Sequence, residues 1–221
     1  MMNVQQAKGT ILVTGFEGFG GSHINPTARL VALAQGVQVE EYTVIGLELP
    51  VSQHLAARKL GEAVEQCQPS LVLSLGLANG RSKLALERVA INVLDYPIPD
   101  NDGAQPITGS IVQAGPPAYF ATLPIKSILA RWLETDIPGY ISNTAGTFLC
   151  NQLMYQSLHL GALHGYRAGF IHVPYLPEQA AHLGHEMPSM TLELMFSAVM
   201  SALTVAIRTT EDIALASGVM S

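Results

Sequence analysis

The chain has 221 residues, 48% hydrophobic and only 13% charged, with a formal net charge of −6 from 17 acidic and 11 basic residues. That length suits one α/β domain with a sizeable core, and the apolar excess implies a large interior or a surface partly covered by other subunits. No cluster of Lys or Arg forms an electrostatic footprint for DNA or RNA, so nucleic acid is not an expected partner.

Short apolar strands alternate with helical patterns along the chain. Residues 10–14 read as a buried strand that ends in a glycine-rich turn over 15–21. A helix is predicted over 26–35, with Asn25 as N-cap and Pro26 at the first helical position. A strand over 38–47, an amphipathic helix over 52–66 and a buried strand over 70–75 follow. Residues 87–93 read as a strand with polar ends. The next stretch, 95–117, carries Pro97, Pro99, Pro106, Pro116 and Pro117, and is expected to be a long excursion with room for a short hairpin. Beyond it come a helix over 123–134, a strand over 139–143, a helix over 147–163, a strand over 167–173 and a long helix over 189–208. A frayed tail is expected over 209–221.

This alternation predicts one domain over 1–221, of α/β class, with a mostly parallel central sheet and helices on both faces. Ligands of such sheets sit beyond the carboxyl ends of the strands. The glycine-rich turn, the turn at 143–146 and His172 all follow or end strands, so they are expected to share one crevice.

Two cysteines, Cys67 and Cys150, form no disulfide framework. Residues 1–8 lack the apolar core of a signal peptide, and no run approaches membrane-spanning length. A cytoplasmic location with no membrane partner is the expectation, and a reducing compartment suits a free thiol.

Cys150 stands at the start of a predicted helix, after a strand and a turn. Unpaired N–H groups and the dipole at a helix N-terminus favour negative charge, so a thiol there tends toward the nucleophilic thiolate. The competing reading is a buried structural cysteine, the reading given to Cys67. His172 lies in an apolar strand just before Pro174. It is either a satisfied core histidine or the proton partner of Cys150. Glu87 is either an exposed strand end or the carboxylate that accepts the far N–H of His172 and fixes its tautomer.

The turn at 15–21 has neither the spacing of a dinucleotide fingerprint nor the ending of a P-loop. Its Phe16 and Phe19 either pack in the core or wall a small flat pocket. His182-Leu183-Gly184-His185-Glu186 reads as a loop, and no metal is expected.

Taken together, these segments resemble the pyroglutamyl peptidase I (pyrrolidone-carboxylate peptidase) family of cysteine peptidases. The blocks are Thr14-Gly15-Phe16-Glu17 with Phe19-Gly20-Gly21, Asn25-Pro26, Glu87-Arg88-Val89-Ala90-Ile91-Asn92, Ile98-Pro99-Asp100-Asn101, Ser142 to Gly146, Cys150-Asn151, His172-Val173-Pro174 and Pro188-Ser189-Met190. They appear in order over nearly the whole chain. The resemblance implies a three-layer α/β/α sandwich, a homotetramer, and removal of N-terminal pyroglutamate from peptides without metal or cofactor. It implies Cys150, His172 and Glu87 as the triad, with Phe16, Phe19, Asn25, Ile98, Phe148 and Leu149 around the substrate. Peptides with an N-terminal pyroglutamyl group are the implied partners.

Three positions depart from the family pattern: Gly18 replaces a Pro, Leu77 replaces a Gln, and Pro97 replaces an Arg that is a candidate to assist the oxyanion. Proline supplies neither a charge nor an N–H. Two other readings stay open. One is a weakly catalytic protein that binds lactams or peptide ends, or has shifted specificity. The other is a nucleoside-phosphorylase-like enzyme, which needs a phosphate site that the sequence does not offer.

Overall fold

The computed structural model describes residues 8–218; residues 1–7 and the last three residues of the expected tail lie outside it. The elements run β1 (Gly9–Phe16), α1 (Pro26–Ala34), β2 (Gln38–Val39), β3 (Tyr42–Leu49), α2 (Gln53–Cys67), β4 (Leu71–Leu77), β5 (Leu84–Glu87), β6 (Val89–Ile91), β7 (Ala118–Phe120), α3 (Ile125–Glu134), β8 (Gly139–Ser142), α4 (Leu149–His164), β9 (Arg167–Val173), α5 (Pro177–Ala180) and α6 (Leu192–Arg208).

Strands β1, β4, β5 and β9 are buried on both faces, which their unbroken apolar runs require. They lie inside a seven-stranded sheet of order β2-β3-β1-β4-β9-β5-β8. Neighbours β3, β1, β4 and β9 are parallel, and β8 is parallel to β5. Helices α1, α3 and α6 cover one face over a core that includes Leu30, Ile128, Trp132 and Met195. Helices α2 and α4 cover the other over Leu60, Val64, Leu153 and Phe170. The fold is therefore the α/β/α sandwich with a mostly parallel sheet. No described helix is long and apolar enough to cross a membrane.

Several expected elements change on folding. The strand over 38–47 divides at Glu40, whose φ of 53° makes a tight turn, and β2 returns antiparallel to β3. The strand over 87–93 also divides. Glu87 closes β5 in the main sheet, while β6 pairs with β7 in a separate two-stranded sheet. Arg88 is the crossing point: its N–H donates to the carbonyl of Ser142 and its own carbonyl accepts the N–H of Ala121. The stretch 95–117 holds no strand of its own and is the long connection between β6 and β7.

Strand direction supplies a further correction. β5 runs antiparallel to β9, and β8 follows β5, so the end of β8 does not face the same way as the ends of β1, β4 and β9. The turn at 143–146 therefore does not reach the crevice as a strand end. The crevice is reached two residues further on, where α4 begins.

Helix ends follow local chemistry. Ser52 caps α2 and Thr191 caps α6 with their hydroxyls, so α6 starts at Leu192 rather than at 189. α3 lacks a cap of its own at Pro124, and the Asp212 carboxylate from the C-terminal segment accepts the N–H groups of Lys126 and Ser127 instead. α3 is also joined to α6 by fully buried Trp132, whose Nε1 donates to the carbonyl of Ala198 at 3.0 Å.

Replacing Trp132 with Ala is expected to lower the unfolding free energy by about 3–5 kcal/mol, read by urea denaturation followed by circular dichroism. Trp132→Phe removes the indole donor and leaves part of the ring's volume empty, and is expected to cost about 1–3 kcal/mol.

Candidate active site

In β9, alternation points Ile171 and Val173 toward the α1/α3/α6 core and leaves Phe170 and His172 on the α2/α4 face. Opposite His172 stand Gly76 on β4 and Ala85 on β5, two residues with little or no side chain. Glu87 lies two residues beyond Ala85 on the same face. It is fully buried, so the reading of an exposed strand end is corrected.

The Glu87 carboxylate Oε1 accepts two charge-assisted bonds, from His172 Nδ1 at 2.7 Å and from an Arg81 guanidinium nitrogen at 2.8 Å. A carboxylate can only accept, so the proton on this side of the ring belongs to Nδ1, and Nε2 is left for Cys150. The ring stacks at a tilt on Phe170, with centroids 4.8 Å apart. Burial disfavours a charged ring here. Cys150, by its charge and by a hydrogen bond to the ring, and then Glu87, outweigh that penalty and raise His172 from 6.5 to about 9.

Cys150 is the second residue of α4. Phe148 at the N-cap offers no side-chain acceptor, so the first-turn N–H groups carry no side-chain cap. The helix start is held from behind by two buried amides. Asn151 exchanges bonds with the backbone of Ile91 and reaches the carbonyl of Val93, while Gln152 donates to the carbonyl of Gln53 and accepts from Tyr96. Gly76 gives the sulfur its place: a Cβ there would stand 2.9 Å from Cys150 Sγ and 2.7 Å from Phe170 Cζ. Cys67 lies on α2, away from these groups, and partial burial pushes its thiol up.

Cys150 opens onto a cavity of about 670 Å³ lined also by Phe16, Phe19, Asn25, Ile98, Phe148 and Leu149. All six residues named from the sequence thus meet in one place. Phe148 packs between Phe19, at 5.6 Å, and Tyr96, at 4.6 Å between ring centroids. Asn25 touches the cavity, but its amide is already committed: Oδ1 caps α1 at the Thr27 N–H and Nδ2 donates to the carbonyl of Glu17. It shapes the turn at 15–21 more than it offers a free donor. Leu77 lines the cavity, whereas Pro97 is exposed and does not.

Among the described residues no Lys or Arg lines the cavity, and the one acidic residue there, Glu178, is paired with Arg29. Tyr175, Gln179 and His182 complete that rim, carried by β9's exit and α5, which the sequence pattern did not announce. Gly76 and Arg81 were also missed as site residues. The only signal for either was its place in a glycine-rich segment at the end of a strand.

Together the groups define a class: an α/β/α protein with a thiol, an imidazole and a buried carboxylate in series behind an apolar cavity. A family model for pyroglutamyl peptidase matches residues 9–209. Among curated proteins, the pyrrolidone-carboxylate peptidase of Pyrococcus furiosus is 46% identical over 202 residues, covering 89% of this chain and 97% of that protein. The Enterobacter sp. protein of the same name is 45% identical, covering 92% and 95%. Among solved structures, the pyrrolidone carboxyl peptidase of Thermococcus litoralis matches with a TM-score of 0.89 at 40% identity, covering 94% of this chain and 100% of that one. The chain belongs to the pyroglutamyl peptidase family.

Two outcomes test this geometry. Gly76→Ala is expected to displace the sulfur or Phe170 and to lower kcat/KM on a pyroglutamyl amide about a hundredfold, since misplacing a reacting atom by about 1 Å has that cost. In Cys150→Ala the largest upward influence on His172 is gone, so the ring should titrate at a lower pH than in the parent protein. Histidine ring NMR measures this, and an unchanged titration would show that the sulfur and the ring are not coupled.

Proposed function

We propose that this chain is a cysteine-type omega peptidase that removes an N-terminal pyroglutamyl residue from peptides, with Cys150 as nucleophile, His172 as acid and base, and Glu87 as orienter of the ring. The observation that carries this reading is the single line from Glu87 through His172 to Cys150, ending at a cavity without an unpaired charge. The family and its relatives' names support the same substrate.

The cavity suits the substrate chemically. A pyroglutamyl group is a flat, neutral lactam with no ammonium to neutralise, so aromatic walls and a few backbone hydrogen bonds suffice to hold it. Cys150 Sγ attacks the carbonyl carbon that joins pyroglutamate to the next residue. The N–H groups of the first turn of α4 stabilise the oxyanion, in place of the charge that an Arg at position 97 would bring. As the C–N bond breaks, His172 gives its proton to the leaving nitrogen. The thioester is then hydrolysed: His172 takes a proton from water, whose oxygen joins the acyl carbon. Pyroglutamate leaves and the sulfur and ring are restored. No metal or cofactor enters the scheme.

The same proposal includes a single peptidase domain, assembly as a homotetramer and residence in the cytoplasm. Sedimentation at micromolar concentration tests the assembly, and a monomer would remove it.

A fluorogenic pyroglutamyl amide under reducing conditions provides the test. Wild type is expected to release the amine; Cys150→Ala should lose at least about a thousandfold, and Cys67→Ala should match wild type. No turnover by folded wild type would turn the reading toward lactam binding or shifted specificity. Because His172 is raised to about 9, it holds its proton below that pH and loses it above. The alkaline limb of kcat/KM is therefore expected to fall through about pH 9.

A further inference from the structure

We propose that Arg81 is a positioning residue for the reaction, holding the Glu87 carboxylate paired and in place and limiting how much of its charge reaches His172. The inference rests on the peptidase reading above and adds a group to it that touches neither substrate nor sulfur.

The geometry begins with the loop between β4 and β5. These strands are not neighbours, since β9 lies between them, so the loop crosses the end of β9 and brings Arg81 over the carboxylate of β5. There the guanidinium and the imidazole share one oxygen, Glu87 Oε1, at 2.8 and 2.7 Å. The other oxygen, Oε2, is buried and has no partner among the described residues. Among those residues, the bonds of this fully buried carboxylate thus pass through the oxygen that orients the ring. The Arg81 side chain is 26% exposed and lies with its Cζ 5.9 Å from the centre of the Tyr140 ring, at the outer edge of cation–π range. Arg81 does not line the cavity.

Two consequences follow. A carboxylate taken wholly out of water holds its charge only when it is paired, and the imidazole alone pairs it only while the ring is protonated. His172 must give up and regain that proton in each turnover. Arg81 is a permanent cation, so the carboxylate keeps a charged partner when the ring is neutral. Second, the guanidinium draws on the same oxygen as the ring and offsets part of the negative charge that the ring feels. The charged and titratable groups around His172 are then Cys150 from α4, Glu87 from β5 and, through Glu87, Arg81 from the loop; β4 presents only Gly76. Without Arg81 the carboxylate pulls harder on the ring proton, which leaves later in pH.

The test compares Arg81→Gln and Arg81→Lys with wild type across pH on the fluorogenic pyroglutamyl amide. In Arg81→Gln, kcat is expected to fall about tenfold to hundredfold, in the range typical of lost supporting partners, with KM nearly unchanged because the cavity is untouched. The alkaline limb should move up, and His172 should titrate later by NMR. Arg81→Lys restores the charge, so its limb should return to the wild-type position. A folded Gln variant with the wild-type limb and kcat overturns the proposal. So does an equal loss in the Gln and Lys variants with the limb unmoved, which is the mark of a purely structural role.

If Arg81→Gln does not fold, Glu87→Gln is compared with the Glu87→Gln, Arg81→Gln double variant, in which no buried charge is left unpaired. The two should have the same residual kcat, since Arg81 acts through the carboxylate. A further loss of more than about threefold in the double variant overturns the proposal. Inactive wild type with normal folding would instead overturn the peptidase reading.

Discussion

A carboxylate buried without contact to water is the constraint on which the rest of the site depends. Glu87 is fully buried at the end of a short apolar strand, where an unpaired charge is not sustainable. Its partners come from two different directions: His172 from the neighbouring strand and Arg81 from the loop that crosses above. The antiparallel register of β5 on β9 makes this possible, because it puts Glu87 diagonally beside His172 with only Ala85 directly opposite the ring. In this register the carboxylate reaches the ring from the antiparallel neighbour of β9, across one small residue.

The thiol arrives by a separate route. α4 runs down the face of the sheet opposite to α6, and its first turn is set by Asn151 and Gln152, whose buried amides satisfy backbone groups of β6's exit and of α2's start. Small residues finish the placement. Gly76 leaves room for the sulfur and the edge of Phe170 where any side chain would collide with both. The site therefore joins the ends of two strands, β9 and β5, with the start of a helix and the loop that leads into β5.

Much of this was legible in the sequence, and the exceptions have physical causes. The strands at 10–14, 70–75 and 167–173 were readable because strands buried on both faces need unbroken apolar runs, and Asn25-Pro26 announced α1 through its cap. Cys150 and His172 were found from helix-start chemistry and from a lone titratable group in an apolar strand. Local pattern does not reveal strand direction, so the turn at 143–146 was assigned to the crevice by a rule that holds only for parallel strands. Residues 87–93 read as one strand because Arg88, at the crossing between two sheets, has no glycine or proline to mark the break. Arg81 left only its place in a glycine-rich segment after a strand, since its partner is chosen by topology and not by spacing. Asn25 shows a different limit: the sequence predicts its cap on α1 and the resemblance its place at the cavity, but only coordinates reveal that its Nδ2 is committed as well, to the carbonyl of Glu17.

The distribution of charge around Cys150 ties these pieces to the proposed reaction. On the side away from the cavity stand Glu87, Arg81 and a ring that is held protonated up to about pH 9. On the cavity side stand Phe16, Phe19, Phe148, Leu149 and Ile98, with Glu178 neutralised by Arg29 at the rim. A proton can therefore be delivered at the scissile nitrogen while the acyl group rests in surroundings that select against charge. Pro97 is exposed and stands off the cavity, so it adds no charge to either side. The oxyanion is then left to the dipole and N–H groups of α4, fixed partial charges that need no counter-ion and do not compete with the Arg81–Glu87–His172 series for electrostatic balance.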